Sequence, residues 1–309
     1  RPTTRVCHAY ASIDNCDSPS PKKYEGFVKD SKKWVIFPRL SFANHIMIEK
    51  RNVEIGKDFS TYSANKAEGG NSEKVVVTSG ISYAYTKECL KDYPDVKLIK
   101  IATAYPFPED FVLSSLEGAK EVLCIEELSP FIEEQILKLA GKHGLQLRVS
   151  GKLDRKVQAG GENSTDKIAA ILGDFLGKDF TAEGYDLSDA PALPVRPPVL
   201  CAGCPHRASF YAVKQAMKGR KAYFCGDIGC YTLGNAMPLD MVDTCLCMGA
   251  GITMAQGFNH TDSDGVCFGF VGDSTFFASG ITGVVNAVHN NADMILCVLD
   301  NSTTAMTGH

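Results

Sequence analysis

The sequence lacks long hydrophobic runs, an excess of charge of one sign, and any tryptophan beyond a single residue. No apolar stretch reaches the roughly 20 residues that a helix needs to cross a bilayer. Lys and Arg number 32 and Asp and Glu number 36, so the net charge is −4 and gives no basic surface for nucleic acid. We therefore expect neither a membrane-spanning nor a nucleic-acid-binding protein.

The pattern of a disulfide scaffold is also missing, although the chain has 12 cysteines. Disulfide scaffolds are short and rich in loops, whereas this chain has 309 residues, of which 44% are hydrophobic, enough for a sizeable core. Cys124, Cys267 and Cys297 lie in segments with the character of core strands. We therefore expect reduced thiols and a cytoplasmic protein.

Neither end of the sequence has the character of a natural terminus. It begins without Met, and it stops at His309 in a loop shortly after a predicted strand. Because a parallel sheet normally continues from such a strand into another helix, we expect an internal piece of a longer protein. The length suggests two or three domains, and we divide the chain into residues 1–66, 67–155, 156–198 and 199–309.

Residues 74–149 alternate between apolar strands and helices, which is typical of an α/β fold with a parallel sheet. A helix predicted at 130–142 directs four apolar side chains towards the core, those of Ile132, Ile136, Leu137 and Leu139. Before this block, a helix is predicted at 42–50 and a polar linker at 60–74. Strands of the block are predicted at 74–78, 96–102, 121–126 and 145–149.

A Pro-rich connector at 190–198 leads into a second α/β block. Apolar strands are predicted in it at 222–225, 266–271 and 294–300. The fold class predicted from the sequence is therefore α/β, with two parallel-sheet domains in succession.

Two strands of the second block end in residues suited to a metal ion and a diphosphate. The strand at 266–271 runs into Gly272-Asp273-Ser274 and then into a helix. Ligands of parallel sheets bind where strands end, Gly272 allows close approach, and the helix start attracts a diphosphate. Asp273 supplies a carboxylate oxygen of the kind that holds Mg²⁺ beside phosphate oxygens.

The next strand supplies the second half of this predicted site. It is followed by Asp300, Asn301, Ser302 and Thr303, among which Asn301 offers a side-chain oxygen and Thr303 a backbone carbonyl. One helix and one strand fit between the two halves, so the two strand ends should lie side by side. Either half alone is more simply explained as a turn. Together they predict a metal-bridged diphosphate site with Asp273, Asn301 and Thr303 as metal ligands.

Gly272-Asp273-Ser274 with Asp300-Asn301 resembles the thiamine diphosphate-binding motif, in which the third residue is usually Gly rather than Ser. Further segments resemble the 2-oxoacid:ferredoxin oxidoreductases, most of all the alpha subunits of the indolepyruvate type. These segments are Cys201-Ala-Gly-Cys204-Pro205-His206-Arg207, Gly226-Asp-Ile-Gly229-Cys230-Tyr-Thr-Leu-Gly234 and Met248-Gly249-Ala-Gly-Ile252. A small hydroxyl at Ser274 should be tolerated and leaves Asp273 as the metal ligand.

The resemblance implies an architecture and a set of cofactors. It makes 1–66 the end of a pyrimidine-binding domain with its connector, 67–155 a transketolase-C-terminal-like domain, and 199–309 part of a thiamine diphosphate-binding domain. Thiamine diphosphate and Mg²⁺ are implied here, with 4Fe-4S iron–sulfur clusters elsewhere in the protein or its partner. The residues implied around the cofactor are Cys204, Pro205, His206, Gly229, Cys230, Met248, Gly249, Gly272, Asp273, Ser274, Asn301 and Thr303.

The implied reaction is the oxidative decarboxylation of an aryl 2-oxoacid such as indolepyruvate. Its acyl group passes to coenzyme A and its electrons pass to ferredoxin, and a beta subunit is the implied partner. His206 and Cys230 are the candidate catalytic residues, with His206 transferring a proton or holding the substrate carboxylate. Because the family's activating glutamate belongs to another part of the protein, we expect these 309 residues to be inactive on their own.

Two other interpretations stay open. A non-oxidative thiamine-dependent decarboxylase would use the same cofactor motif without clusters. Alternatively, Cys201, Cys204, Cys225 and Cys230 are the ligands of a zinc or iron–sulfur site. The position of Cys225 inside an apolar strand and the missing cluster-binding cysteine run argue against that interpretation. A structural role for His206, in a loop that caps a helix, also stays open.

Overall fold

The computed structural model describes residues 3–7, 9–12, 23–24, 26–180, 188–194, 197–262 and 264–306. The chain forms two compact units, residues 1–186 and 187–309. Arg1 and Pro2 of the predicted pyrimidine-domain tail, residues 195–196 of the predicted connector, and residues 307–309 lie outside the described residues. The four-part division of the chain stays a prediction.

The first unit is built around a five-stranded sheet. Its helices are α1 (Thr4–Cys7), α2 (Ser31–Trp34), α3 (Pro38–Thr61), α4 (Gly80–Cys89), α5 (Glu109–Ser115), α6 (Phe131–His143) and α7 (Thr165–Leu176). Its strands are β1 (Lys66–Glu68), β2 (Lys74–Thr78), β3 (Lys97–Lys100), β4 (Glu121–Ile125) and β5 (Arg148–Ser150). The strand order is β1-β3-β2-β4-β5.

The central strand β2 pairs in parallel with β3 and β4, and β4 pairs in parallel with β5. Val75, Val76 and Val77 of β2 are all fully buried, as expected of a parallel strand covered by helices on both faces. Val75 and Val77 pack with residues of α6, and Val76 packs with residues of α7. The predicted parallel α/β architecture is confirmed.

Three details of this unit differ from the sequence predictions. The segment predicted as a linker at 60–74 contains β1, which pairs antiparallel with β3 and makes the sheet mixed. The helix predicted at 42–50 is part of α3, which covers 24 residues and is therefore longer than predicted. Leu137 is 42% exposed, since it lies one position, roughly 100° of helix rotation, beyond the buried Ile136. Despite the length of α3, no helix in the described part of the chain is both long and apolar enough to cross a membrane.

A buried carboxylate fixes the start of α6. Glu126 directly follows β4 and is 4% exposed. Its carboxylate oxygens accept hydrogen bonds from the backbone N–H groups of Ile132 at 3.0 Å and Glu133 at 3.1 Å. A helix start leaves these N–H groups without a partner inside the helix. Burial raises the pKa of Glu126, and the two N–H groups counteract only part of that rise.

We expect Glu126→Gln to flatten the pH dependence of the free energy of unfolding. Because burial raises the pKa of Glu126 above 4.5, the folded protein binds more protons than the unfolded chain as the pH rises past that value. The contribution of Glu126 to stability is therefore lost between pH 4.5 and its raised pKa in the folded state. Urea unfolding of wild type and variant from pH 4.5 to neutrality measures the slope.

Glu134→Gln is the matched control, because Glu134 lies in the first turn of α6, next to the Glu133 N–H that Glu126 accepts, and its side chain is exposed. It should keep the wild-type slope. Glu126→Ala leaves the N–H groups of Ile132 and Glu133 without their acceptor and should lower stability by about 2 kcal/mol. Equal slopes for wild type and Glu126→Gln would contradict the role assigned to this carboxylate.

The second unit contains a three-stranded parallel sheet in the order β6-β7-β8. The strands predicted at 222–225, 266–271 and 294–300 are confirmed to within one residue at each end. The strands are β6 (Ala222–Cys225), β7 (Val266–Gly272) and β8 (Ile295–Leu299). The helices are α8 (Pro205–Ala216), α9 (Ala250–Thr261), α10 (Asp273–Thr275) and α11 (Ile281–His289), with a 3₁₀-helix at Cys230–Asn235 and a π-helical turn at Phe276–Gly280 that joins α10 to α11.

Helices α8 and α9 lie against the sheet of this unit. The ring of Phe210 in α8 packs on Phe270 of β7, with 4.7 Å between the ring centroids. A side chain at Gly251 in α9 would place its Cβ 2.7 Å from the carbonyl oxygen of Phe270 and 2.9 Å from that of Cys225. The first turn of α9 is therefore pressed against the strand ends. Cys225 is fully buried beneath it, and burial raises the pKa of its thiol to about 11.

Candidate functional site

A cavity of about 120 Å³ lies at the carboxyl edge of the second sheet. Eight of the residues predicted from the sequence line it, namely His206, Gly229, Cys230, Met248, Asp273, Ser274, Asn301 and Thr303. His206, Met248, the segments 228–231 and 273–275 and the turn after β8 therefore converge on one space. The role of these residues in holding a cofactor stays a prediction.

The ends of β7 and β8 bring two carboxylates close together. The two strands pair in parallel with Gly272 opposite Leu299, so Asp273 and Asp300 follow neighbouring strand ends. The Asp273 carboxylate accepts a hydrogen bond from the backbone N–H of Ser274 at 2.8 Å. The backbone N–H of Ser302 lowers the pKa of Asp300, and the neighbouring Asp273 carboxyl group lowers it further. Asp300 thus lies next to the cavity-lining Asp273, although it does not itself line the cavity.

The turn after β8 is held in an unusual backbone conformation. Ser302 has a φ of 56°, which lies in the left-handed region that residues other than glycine rarely adopt. The carboxylate of Asp300 accepts a hydrogen bond from its backbone N–H at 2.9 Å. The side-chain oxygen of Asn301 accepts one from the N–H of Thr303 at 3.4 Å. Backbone conformations of this kind persist where the surroundings fix them, often at functional sites.

The start of α8 carries His206 into the wall of the cavity. Pro205 is the first residue of this helix, a position where the missing N–H of proline costs nothing. The side chain of Arg207 donates hydrogen bonds to the carbonyl oxygens of Leu200 at 3.1 Å and Cys201 at 3.0 Å, which fixes the preceding loop. His206 is 3% exposed, and burial lowers its pKa, although the charge of Asp273 acts in the opposite direction. A neutral imidazole is therefore favoured.

The ring of Tyr231 lies between the backbones of two glycines. A methyl group at either Gly229 or Gly272 would overlap this ring. The ring also meets that of His206 edge to face, with 6.1 Å between centroids. Burial raises the pKa of Tyr231, while the nearby hydroxyl of Thr275 lowers it. The glycine of the Gly272-Asp273-Ser274 motif thus makes room for the ring of Tyr231.

Four of the predicted cofactor residues do not line the cavity. Cys204 and Pro205 lie at the start of α8, just before His206 in the sequence. Gly249 lies near the side chain of Ser279, and Gly272 lies against the ring of Tyr231. Cys204 packs in the hydrophobic core together with Cys230. Burial raises the pKa of the Cys230 thiol, and the neighbouring Cys204 and Cys201 raise it further.

All the cysteines in the described ranges are free thiols. Within those ranges, no group of three or more His, Cys, Asp or Glu side chains is placed to hold a metal ion. A site formed by Asp273, Asn301 and Thr303 differs from such a group, because two of its ligands would be amide and backbone or hydroxyl oxygens.

The oxygens at this edge fit the donors that a divalent cation and a diphosphate require. Asp273, Asn301 and Thr303 offer hard oxygen atoms around one cavity. Two carboxylates close together repel each other unless a cation or a proton lies near them. The helical segment that begins at Asp273 places the positive end of its dipole at the cavity, which favours the binding of phosphates.

Some residues of the site were missed from the sequence. Ile228, Tyr231 and Thr275 line the cavity, and all three lie inside or next to the glycine-containing motifs, so proximity to these motifs was the available signal. Thr304, Ala305 and Met306 also line it, but nothing in their residue types distinguishes them from an ordinary loop.

Comparison with known proteins agrees with this geometry. Residues 227–309 match the model of the C-terminal TPP binding domain of thiamine pyrophosphate enzymes. The whole chain is 37% identical over 317 residues to the indolepyruvate oxidoreductase subunit IorA of Methanothermobacter thermautotrophicus, covering 50% of that protein. It is 33% identical over 335 residues to the IorA subunit of Thermococcus kodakarensis, covering 51% of it. The chain thus spans about half the length of these curated relatives.

A solved split gene transketolase is 16% identical over 37% of this chain and 38% of its own, with a TM-score of 0.27, too weak a likeness to support any inference. The relatives align with all of the chain, and the domain match covers the ends of β7 and β8 and every residue that lines the cavity except His206. Residues 227–309 of its second unit match a thiamine pyrophosphate-binding domain, and the chain belongs to the family of the indolepyruvate oxidoreductase IorA subunits.

Proposed function

We propose that this chain supplies the metal and diphosphate half of a thiamine diphosphate site in a 2-oxoacid:ferredoxin oxidoreductase. The observation that carries the proposal is the convergence of Asp273, Asn301 and Thr303 on one cavity at the carboxyl ends of β7 and β8. The match of residues 227–309 to a thiamine pyrophosphate-binding domain supports the identity of the cofactor.

In this proposal, Asp273 binds Mg²⁺ through its carboxylate, and Asn301 and Thr303 bind it through neutral oxygens. A single anionic protein ligand beside two phosphate oxygens is a common way to hold this ion. The N–H groups at the start of the helical segment 273–289 would face the diphosphate. Ser274 stands at this start, and its exposed hydroxyl adds a further donor.

When bound, thiamine diphosphate supplies a nucleophilic carbon and an electron sink for the decarboxylation of a 2-oxoacid. The residues of this chain position the substrate and control protons around that chemistry. His206 is buried and favoured in its neutral form, so one imidazole nitrogen can accept a proton and the other can donate one. Cys230 stands beside it in the wall as a protonated thiol, because burial raises its pKa.

The names of the relatives point to indolepyruvate as the substrate and to a second subunit as partner. We extend this to an aryl 2-oxoacid as substrate, an acyl-coenzyme A as product, and ferredoxin as the electron acceptor. Iron–sulfur clusters would lie elsewhere in the protein or in the partner subunit. A cytoplasmic location fits the free thiols of the described cysteines.

The cofactor assignment is tested by calorimetric titration of the full-length protein with thiamine diphosphate. With Mg²⁺ present we expect binding of one equivalent per chain, and with the metal removed by a chelator we expect affinity to fall by about 100-fold or more, equivalent to about 2.7 kcal/mol. The reason is that the ion bridges the carboxylate of Asp273 and the negatively charged diphosphate. Equal binding with and without metal would contradict the assignment.

The reaction is tested with the assembled enzyme, indolepyruvate, coenzyme A and a low-potential viologen dye as electron acceptor. We expect dye reduction that requires both coenzyme A and the 2-oxoacid, with formation of indoleacetyl-coenzyme A. Release of the aldehyde without dye reduction would instead identify a non-oxidative decarboxylase. Pyruvate in place of indolepyruvate is the matched control for the aryl preference.

A further inference from the structure

A carboxylate is fully buried behind the wall of the cavity. Asp227 follows β6, in the segment Gly226-Asp227-Ile228-Gly229, and has no exposed surface. It does not line the cavity, although Ile228 and Gly229, the next two residues, do. Burial raises the pKa of Asp227, because a charged carboxylate is less stable away from water. A local interaction must therefore offset the free-energy cost of burying this side chain.

The offsetting interaction is with the start of α9. One carboxylate oxygen of Asp227 accepts a hydrogen bond from the backbone N–H of Gly249 at 2.5 Å. Gly249 is the residue before α9, and its φ of 90° is one that glycine adopts without strain. The positive end of the helix dipole lies at the same place, which adds to the stabilisation of a carboxylate. The second oxygen of Asp227 is buried without a hydrogen-bond partner among the described residues, and the nearby Thr275 hydroxyl lowers the pKa of the carboxyl group.

The start of α9 is therefore held from two sides. On one side Asp227 accepts the Gly249 N–H. On the other, the backbone at Gly251 lies so close to the carbonyl oxygens of Phe270 and Gly226 that no side chain fits. Met248 comes immediately before this fixed point and lines the cavity. The place of Met248 in the cavity wall is thus set by Asp227 and by the ends of β6 and β7.

We propose that Asp227 is a positioning residue that holds Met248 in the cavity wall and keeps the start of α9 from binding the diphosphate. With the N–H of Gly249 engaged by a carboxylate, the diphosphate is received at the start of the segment 273–289 and not at the start of α9. This inference rests on the proposed thiamine diphosphate site, because it concerns how that site takes up its cofactor. Asp227 acts through Met248 and Gly249 and not by contact with the substrate.

The test compares Asp227→Ala and Asp227→Asn in the full-length enzyme, titrated with thiamine diphosphate in the presence of Mg²⁺. Asp227→Ala removes the acceptor of the Gly249 N–H, and we expect affinity for the cofactor to fall by about tenfold or more. Because Asp227 does not touch the reacting atoms, kcat at saturating cofactor should stay within about twofold of wild type. Asp227→Asn keeps an acceptor oxygen, so it should recover most of the affinity, leaving a loss of about threefold.

Asp243→Ala is the matched control. The Asp243 carboxylate also accepts a backbone N–H in this unit, that of Phe224 at 2.7 Å, but neither Phe224 nor its chain neighbours line the cavity, whereas Gly249 directly follows Met248. This variant should lose stability without losing cofactor affinity. If Asp243→Ala and Asp227→Ala lowered affinity equally, the role of Asp227 would be merely structural and the inference would be wrong.

Two further outcomes are distinguishable. If wild type binds thiamine diphosphate with Mg²⁺ and Asp227→Ala binds it equally well, this inference fails and the proposed function stands. If wild type does not bind it, both fail. Should Asp227→Ala not fold, Asp227→Asn decides, because a neutral acceptor should speed hydrogen exchange at the Gly249 amide by about tenfold. Unchanged exchange and unchanged affinity in Asp227→Asn would overturn the inference.

Discussion

Replacing Asp273 by Ala should lower the affinity for thiamine diphosphate in the presence of Mg²⁺ by at least about 100-fold, or about 2.7 kcal/mol. Asp273 continues directly from β7, the central strand of its sheet, so its carboxylate is presented from a rigid position. Without that carboxylate, the ion would keep only neutral protein ligands in Asn301 and Thr303 among the proposed set. Calorimetry on the full-length protein at fixed metal concentration measures the loss.

Asp293→Ala is the matched control for this experiment. Asp293 is exposed just before β8, at the amino end of the sheet and thus at the opposite edge from the cavity. It should bind the cofactor as wild type does. Asp273→Asn should fall between wild type and Asp273→Ala, because it keeps an oxygen ligand but loses its charge. Wild-type affinity in Asp273→Ala would remove this residue from the metal site and leave the family assignment untouched.

Replacing Gly251 by Ala should destabilise the second unit by about 3 kcal/mol. Its Cβ would lie 2.7 Å from the carbonyl oxygen of Phe270 and 2.9 Å from those of Cys225 and Gly226. All three neighbours are backbone atoms at the ends of β6 and β7, so no side-chain rotation can relieve the overlap. Hydrogen exchange measured by mass spectrometry should quicken by about 100-fold in peptides from α9, β6 and β7.

Gly257→Ala supplies the control within the same helix. A Cβ at Gly257 has no neighbour within 4 Å, so alanine fits there and improves helix propensity by about 1 kcal/mol. Exchange in the α9 peptides should therefore stay the same or slow down. If both variants behaved alike, the close contact of α9 with the strand ends would not be a determinant of stability.

Much of the site was predictable because it depends on where strands end. Runs of apolar residues located β6, β7 and β8 to within one residue, and in a parallel sheet their carboxyl ends share one edge. That rule alone placed Asp273 and Asn301 near one another, and both line the cavity. The metal ligation itself stays a prediction, because oxygen atoms at a sheet edge also serve in ordinary turns.

What escaped prediction depends on the direction in which side chains point. Cys204 and His206 are two positions apart, yet the first packs in the core and the second lines the cavity. Asp227 is a charged residue in a glycine-rich segment, which predicts exposure. It is nevertheless fully buried, and its carboxylate accepts a hydrogen bond from the backbone N–H of Gly249. Such a contact joins residues 22 positions apart, and no local pattern records it.

In the first unit, local patterns failed for a related reason. The residues of β1 have no apolar run, because a largely exposed edge strand needs none, and β1 pairs with β3, a strand about 30 residues further along the chain. The three buried apolar residues of α6, Ile132, Ile136 and Leu139, were predictable from their helical spacing, whereas Leu137 is also apolar but lies on another face of the helix.

The backbone holds the two halves of the proposed metal site with unequal rigidity. Asp273 extends from a strand that is hydrogen-bonded on both sides, by β6 and by β8. Asn301 and Thr303 belong to a turn beyond β8, in which Ser302 holds a left-handed conformation. A bound ion would then be held in place by Asp273 and would restrict the motion of the turn that carries Asn301 and Thr303. Chelation would release the turn while the sheet persists, so the loss of the metal would be an early and reversible step that comes well before unfolding.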